Sequence, residues 1–150
     1  MAEGGQLIYV DSSCLLKVFR FEPGSSAVLE AVNREAAVAV SVLTELEVLV
    51  QLKADYLAGN QTRSRWRQLE AQLAALRNES PYEFLSLPAA VFPTALRQHR
   101  NAGEAHCRSL DRLHLAAMEE LEISRLMTHD DRQAKAAIAA GFEVVRPGRD

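Results

Sequence analysis

The sequence has no cysteine framework, no membrane-length apolar run and no excess of positive charge. Its two cysteines, Cys14 and Cys107, stand far apart without C-x-x-C spacing. A zinc ribbon or disulfide scaffold is therefore excluded, and a reducing compartment is the expectation. No run is long enough to span a bilayer, and the opening M-A-E-G-G-Q lacks the basic and apolar regions of a secretory leader. A cytoplasmic protein with no membrane attachment is expected. The formal charge of −3 argues against a generally basic nucleic-acid coat, although it leaves room for a local arginine patch. Internal repeats, low-complexity tracts and domain linkers are missing too.

What remains is 150 residues, 48% hydrophobic and 25% charged, the proportions of one globular domain with a real core. Short apolar runs at Leu7–Val10, Ala36–Val40, Tyr82–Leu87, Ile123–Thr128 and Phe142–Val145 read as strands. Between them lie helical patterns. Cys14–Phe21 and Ser25–Arg34 are separated by Pro23-Gly24. A long helix is capped by Ser41 and runs to Tyr56 or Leu57. Thr62–Asn78 follows the Gly59-Asn60 turn. Pro88 suits the first turn of a helix through Arg100, and two more helices span Arg108–Leu121 and Asp131–Ala140, the last stopped by Gly141. Alternating short strands and helices imply an α/β fold of three layers, its short, mainly parallel sheet covered by helices on both faces. Residues 1–5 and 147–150 read as flexible ends of one domain spanning residues 1–150.

Four acids stand out against this pattern. On the Arg108–Leu121 helix, Leu110, Leu113, Leu115, Ala117, Met118 and Leu121 form one apolar arc, and Asp111 and His114 fall inside it. Arg112, Glu119 and Glu120 lie opposite. On the helix after Ser41, Glu45 falls on the apolar arc between Leu52 and Tyr56, whereas Glu47 reads as an ordinary solvated residue. Asp11 and Asp130 end strands, where parallel sheets bind ligands. Each acid has a bland reading: an N-cap for Asp11 and Asp130, the helix dipole for Asp111, a core arginine partner for Glu45. Four carboxylates converging at one edge of the sheet would repel one another and require a cation. Oxygen ligands without a Cys/His set favour Mg²⁺ or Mn²⁺ over zinc, and such a cluster suits phosphodiester cleavage.

The segments I-Y-V-D-S-S around Asp11, S-V-L-T-E-L around Glu45, R-S-L-D-R-L-H-L-A-A-M around Asp111 and L-M-T-H-D-D-R-Q-A-K around Asp130 together resemble the PIN domain. The match is to the VapC-type ribonuclease toxins of toxin–antitoxin pairs, from Leu7 to Pro147. The resemblance implies a PIN-like fold and divalent-metal-dependent endonucleolytic cleavage of RNA. By the same resemblance Asp11, Glu45 and Asp111 hold the metal, Asp130 completes the pocket, and Ser12 and Thr128 orient the carboxylates. It further implies a homodimer and a small cognate antitoxin. Asp131, adjacent to Asp130, competes for the fourth position or touches substrate.

Other residues carry weaker signals. His114 reads as a hydrogen-bonded core histidine, His129 as an alternating strand-end residue, and His106-Cys107 as solvated loop. Arg63-Ser64-Arg65-Trp66-Arg67 either contacts RNA phosphates with a stacked base or forms a solvated face with Trp66 packed inward. Arg108 and Arg112 flank Asp111 and are candidates for holding substrate phosphate. Two other functions fit an α/β domain of this kind. A magnesium-dependent phosphatase would need Asp-x-Asp after the first strand, and a receiver domain would need an acid ending a central one; the sequence offers Asp11-Ser12-Ser13 and Leu85-Ser86-Leu87-Pro88. A catalytically silent PIN-like binding module is the non-enzymatic alternative.

Overall fold

The computed structural model describes residues 6–149; residues 1–5 and Asp150, parts of the expected flexible ends, lie outside the described residues. Five strands form one sheet in the order β3-β2-β1-β4-β5: β1 (Ile8–Val10), β2 (Val38–Ser41), β3 (Tyr82–Leu85), β4 (Arg125–Met127) and β5 (Glu143–Val145). Every pairing is parallel, with Tyr9 beside Ala39 on one side and Leu126 on the other. Parallel pairing needs long crossovers, and the helices supply them. They are α1 (Ser12–Phe19), α2 (Ser25–Arg34), α3 (Val42–Leu57), α4 (Arg63–Ala75), α5 (Val91–Asn101), α6 (Ser109–Glu120) and α7 (Asp131–Ala139).

The period-two alternation of the strands sorts the core into two halves. Ile8, Val10, Val38, Val40 and Met127 pack on Leu15, Val28, Val48, Leu52 and Leu69, beneath α1 to α4. Tyr9, Ala39 and Leu126 pack on Val91, Leu115, Met118 and Ala137, beneath α5 to α7. A strand buried on both faces has no polar alternation to show, which is why β1 reads as the plain run Ile8-Tyr9-Val10, all three residues buried. Each fully buried large apolar side chain contributes roughly 1.5–3 kcal/mol. The chain moves from β3, at one edge, past β2 and β1 to β4, so the carboxyl ends of β1 and β4 flank the switch point where such sheets open a crevice.

Some boundaries differ from the sequence reading. The first helix starts at Ser12 because the Asp11 carboxylate caps it. Residues 88–90 form a turn, with Val91 N–H donating to Pro88 O at 3.1 Å, so α5 begins three residues after Pro88. The last turn beyond α4 is a 3₁₀ segment, Leu76–Asn78. Residues 147–149, expected as a tail, lie against His129: its Nε2 meets Pro147 O at 2.6 Å, and Arg149 Nη1 donates to His129 O at 3.0 Å.

Two helices end in the same hydrogen-bond pattern with different residues in the left-handed position. After α7 it is Gly141 (φ 91°), with Phe142 N–H reaching Ala137 O at 3.0 Å. After α6 it is Glu122 (φ 56°), with Ile123 N–H reaching Met118 O at 2.9 Å. A Cβ in that conformation costs about 1 kcal/mol, which glycine avoids. Glu122 is exposed, so Glu122→Gly is expected to raise stability by about 1 kcal/mol, or roughly 2–4 °C in the thermal midpoint. A fall in the midpoint would show that the Glu122 side chain contributes more than its backbone costs.

Candidate active site

The end of β1 is stitched to the end of β4 through one carboxylate. Asp11 Oδ1 accepts from Ser13 Oγ at 2.6 Å and from Cys14 N–H at 3.2 Å, and Oδ2 accepts from Thr128 Oγ1. Ser13 Oγ in turn accepts from His129 N–H at 2.9 Å, and Thr128 Oγ1 from Asp130 N–H at 3.0 Å. The serine that meets Asp11 is Ser13, not the expected Ser12, because the first helical turn brings the side chain two residues on back over the cap. Thr128, expected to orient a carboxylate, donates its hydroxyl to Asp11 Oδ2. Asp11 is buried, and burial pushes its carboxyl above the ordinary range, against the lowering effect of the Ser13 and Thr128 hydroxyls.

Two more acids face each other across the start of α6 and α7. Asp111 lies in the first turn of α6, buried. Burial raises its carboxyl; the Arg108 guanidinium opposes this, and the nearby Asp130 charge adds to it. Asp130 caps α7, accepting from Arg132 N–H at 2.9 Å and Gln133 N–H at 3.1 Å. Gln133 Nε2 donates to Asp111 O at 3.1 Å, fixing the two helix starts to each other. Arg108 spans the pair, with Nε 3.4 Å from Asp111 Oδ2 and Nη2 3.9 Å from Asp130 Oδ2. Asp131 points away. It is 79% exposed and pairs with Arg146 and Arg149, and Arg146 holds its carboxyl below the usual range. Asp130 is the member of that doublet that faces Asp111.

Glu45 does not join them. Arg77 Nη2 holds both its carboxylate oxygens, at 2.8 and 2.7 Å, and the guanidinium lies over the Phe84 ring at 4.5 Å. That places Glu45 beside Leu85 and Ser86, at the β3 side of α3. Glu47 takes the inner position instead. It pairs with His114 Nε2 and lines a cleft of about 380 Å³ with Arg108, Ser109 and Asp111. The other ring nitrogen of His114, Nδ1, lies 2.5 Å from the Tyr9 hydroxyl. Tyr9 Oη is also 2.6 Å from Ser41 Oγ, and Thr44 Oγ1 donates to Val10 O at 3.0 Å. A buried polar chain therefore runs from the ends of β1 and β2 to Glu47. Burial holds the Tyr9 hydroxyl protonated.

The reason for the exchange lies in α3. Its buried stripe is Thr44, Val48 and Leu52, but Val42, Leu46, Val50 and Leu57 form a second apolar stripe that is exposed. Treating both as one arc moves its centre toward Glu45. The signal that locates Glu47 is the threefold spacing Ser41, Thr44, Glu47, three polar residues on one helical face at the end of a buried strand. Arg112, expected on the outer face of α6, is buried between α5, α6 and α7 and donates to Ala105 O at 3.2 Å. Trp66 packs inward, stacked on Tyr56 at 4.7 Å.

Among the described residues no three His, Cys, Asp or Glu side chains form a ready-made ligand group. The donor set still fits a hydrated divalent ion. Its ligands are all oxygen, and magnesium keeps several waters and takes only one or two carboxylates directly. A cation, the Arg108 guanidinium, already lies between Asp111 and Asp130.

Comparison with known proteins agrees with this architecture. The family model described as "PIN domain" matches residues 8–139. The chain is 31% identical over 142 residues to Ribonuclease VapC46 of Mycobacterium tuberculosis, covering 93% of this chain and 97% of that protein. The fold is similar to that of VapC20 of Mycobacterium tuberculosis, a toxin that cleaves the sarcin–ricin loop. The TM-score is 0.70 at 19% identity, over 93% of this chain and 99% of the other. A toxin–antitoxin complex from Klebsiella pneumoniae contains a chain of the same fold, with a TM-score of 0.65 at 15% identity over 95% and 99% of the two chains. By sequence and by fold, this chain belongs to the PIN domain family, among its VapC-type members.

Proposed function

We propose that this protein is a divalent-metal-dependent endoribonuclease, the toxin of a toxin–antitoxin pair, with Asp11, Glu47, Asp111 and Asp130 as its acidic site. The observation that supports the proposal most is the Asp111–Asp130 pair spanned by Arg108, with Glu47 lining a cleft beside Asp111 and the Asp11 carboxylate fixed where β1 meets β4. A bound Mg²⁺ or Mn²⁺ would supply a water of lowered pKa and neutralise the phosphate. The chain supplies the rest. Ser13 and Thr128 hold the Asp11 carboxylate in one rotamer, and the His114–Tyr9 pair does the same for Glu47. Arg108 is exposed and reaches its acids only loosely, so it is free to turn to a substrate phosphate once their charge is neutralised. Purified protein should cut single-stranded or structured RNA with Mg²⁺ or Mn²⁺ and stop on chelation. Cleavage that persists in EDTA would overturn the metal requirement.

The partners proposed are RNA, a small cognate antitoxin and a second copy of the chain. The second copy is supported by the exposed stripe on α3 and by Phe92 and Leu96 on α5, all at least half exposed. Apolar residues at such density mark an interface. Leu46→Glu together with Val50→Glu is expected to convert a dimer to a monomer by light scattering. An unchanged mass would place the interface elsewhere. No helix among the described residues is long and apolar enough to cross a membrane.

A further inference from the structure

The α6 helix presents successive residues to different surroundings. Asp111 faces the acidic crevice; Arg112 turns into a cavity of about 210 Å³ between α5, α6 and α7. Arg112 is 6% exposed, its Nε has no hydrogen-bond partner, and its one backbone acceptor is Ala105 O at 3.2 Å. Among the described residues no carboxylate forms an ion pair with it, whereas its neighbour Arg97 has Glu119. A guanidinium cannot shed its proton, so this charge is carried into the interior with no carboxylate in direct contact, Glu119 across the cavity being taken by Arg97, and a buried charge in that state is costly. Gln98 lines the same cavity. Its Nε2 is used by Leu115 O at 3.2 Å, and its buried Oε1 accepts nothing. Asn101, Arg97 and Glu119 complete the polar wall, with the Glu119 carboxylate already neutralised by its pair with Arg97.

We propose that this cavity is a binding site for a small oxyanion of the phosphate class, separate from the acidic crevice. Water would satisfy the free hydrogen-bonding groups but not the charge on Arg112. A phosphate does both. Its anionic oxygens accept from Arg112, with Arg97 at the mouth, and its remaining hydroxyl donates to Gln98 Oε1. Because Arg112 already holds Ala105, in the loop between α5 and α6, the anion clamps that loop to the first turn of α6, where Asp111 is held. The source is either free phosphate or the terminal phosphate of an RNA, and the site itself does not depend on the ribonuclease reading.

The test is the thermal midpoint of the full chain in EDTA as phosphate replaces chloride at fixed pH and ionic strength. A saturable rise is expected, about 3–6 °C at ten times the dissociation constant. Arg112→Met should melt at or above the wild type in chloride, since an unpaired charge is gone, and should lose the phosphate-dependent rise. Asn101→Asp and Arg97→Gln, both at exposed positions, should weaken phosphate at least tenfold; they decide the matter if Arg112→Met does not fold. Arg108→Ala should leave the rise intact. A rise that is the same in Arg112→Met and Asn101→Asp, or one that vanishes in Arg108→Ala, overturns the site. A 5′-phosphorylated trinucleotide compared with its 5′-hydroxyl form assigns the source. Stabilisation by the phosphorylated form alone points to an RNA end; stabilisation by inorganic phosphate without it points to the free anion.

Discussion

Asp11→Asn is expected to lower RNA cleavage by more than 100-fold while leaving the fold intact. The fold survives because the substitution keeps the shape of the cap. The amide oxygen still accepts from Ser13 and Cys14, and the amide nitrogen meets a Thr128 hydroxyl that can turn to accept. What disappears is the charge. Residues that only orient a metal ligand typically cost 10–100-fold when removed, and that is the range expected for Thr128→Val. An Asp11→Asn effect no larger than that of Thr128→Val would make Asp11 a structural cap, the role its hydrogen bonds to α1 also fit.

The same variant has a stability signature. Burial raises the Asp11 and Asp111 carboxyls in the folded protein above their value of 3.8 in the open chain. The folded state therefore binds these protons more readily than the unfolded one. Their contribution to stability is fully present below the ordinary carboxylate range and is lost as pH rises through the raised folded values. In EDTA the wild type should lose stability as pH rises from about 4, and Asp11→Asn should flatten that loss. Divalent cations stabilise the ionised forms and should restore what is lost at neutral pH in the wild type only. Identical profiles for the two proteins in EDTA would mean that Asp11 is solvated in solution.

The sheet was legible because its strands are short, the inner β1 and β2 are buried on both faces, and helices that carry their own stops separate them. Pro23-Gly24 falls at the start of α2, and Gly59-Asn60 and Gly141 fall just past the ends of α3 and α7. Asp11, Asp111 and Asp130 were legible as anomalies, charges where the pattern called for apolar residues or caps. Glu47 was not, because periodicity records which residues are apolar and not which apolar stripe is buried. The exposed Val42–Leu46–Val50 stripe counted as core, and the true inner face of α3 begins with polar Ser41 and Thr44, whose partners lie on β1. Arg112 escaped for a related reason. A charged residue opposite an apolar arc reads as solvated, and nothing in the α6 sequence shows that α5 and α7 close over that face. Ser13 in place of Ser12 is a smaller matter of one-residue geometry at a helix cap.

The exchange of the two glutamates gives the second large expected effect. Glu47→Gln should reduce cleavage by at least about 100-fold, as expected for a metal-site carboxylate and beyond the range of an orienting residue. Glu45→Gln should stay within about threefold of wild type, since the residue faces Arg77 beside β3. Its loss removes an ion pair whose arginine is half exposed, worth no more than about 1 kcal/mol. The two side chains are chemically identical and two residues apart on one helix, so differences in expression or solvent cannot account for a hundredfold gap between the variants. A Gln at position 47 keeps the volume and can still accept from His114 Nε2, so lost activity there reports lost charge rather than a collapsed wall. The dependence on Mn²⁺ gives a second reading of the same comparison. Glu47→Gln should require higher Mn²⁺ for half-maximal cleavage, and Glu45→Gln should not. The opposite pattern, with Glu45→Gln inactive and Glu47→Gln tolerant, would require α3 to rotate about its axis on binding metal. Thr44, which turns to the interior with Glu47 and is fixed to Val10 O, would then have to leave β1.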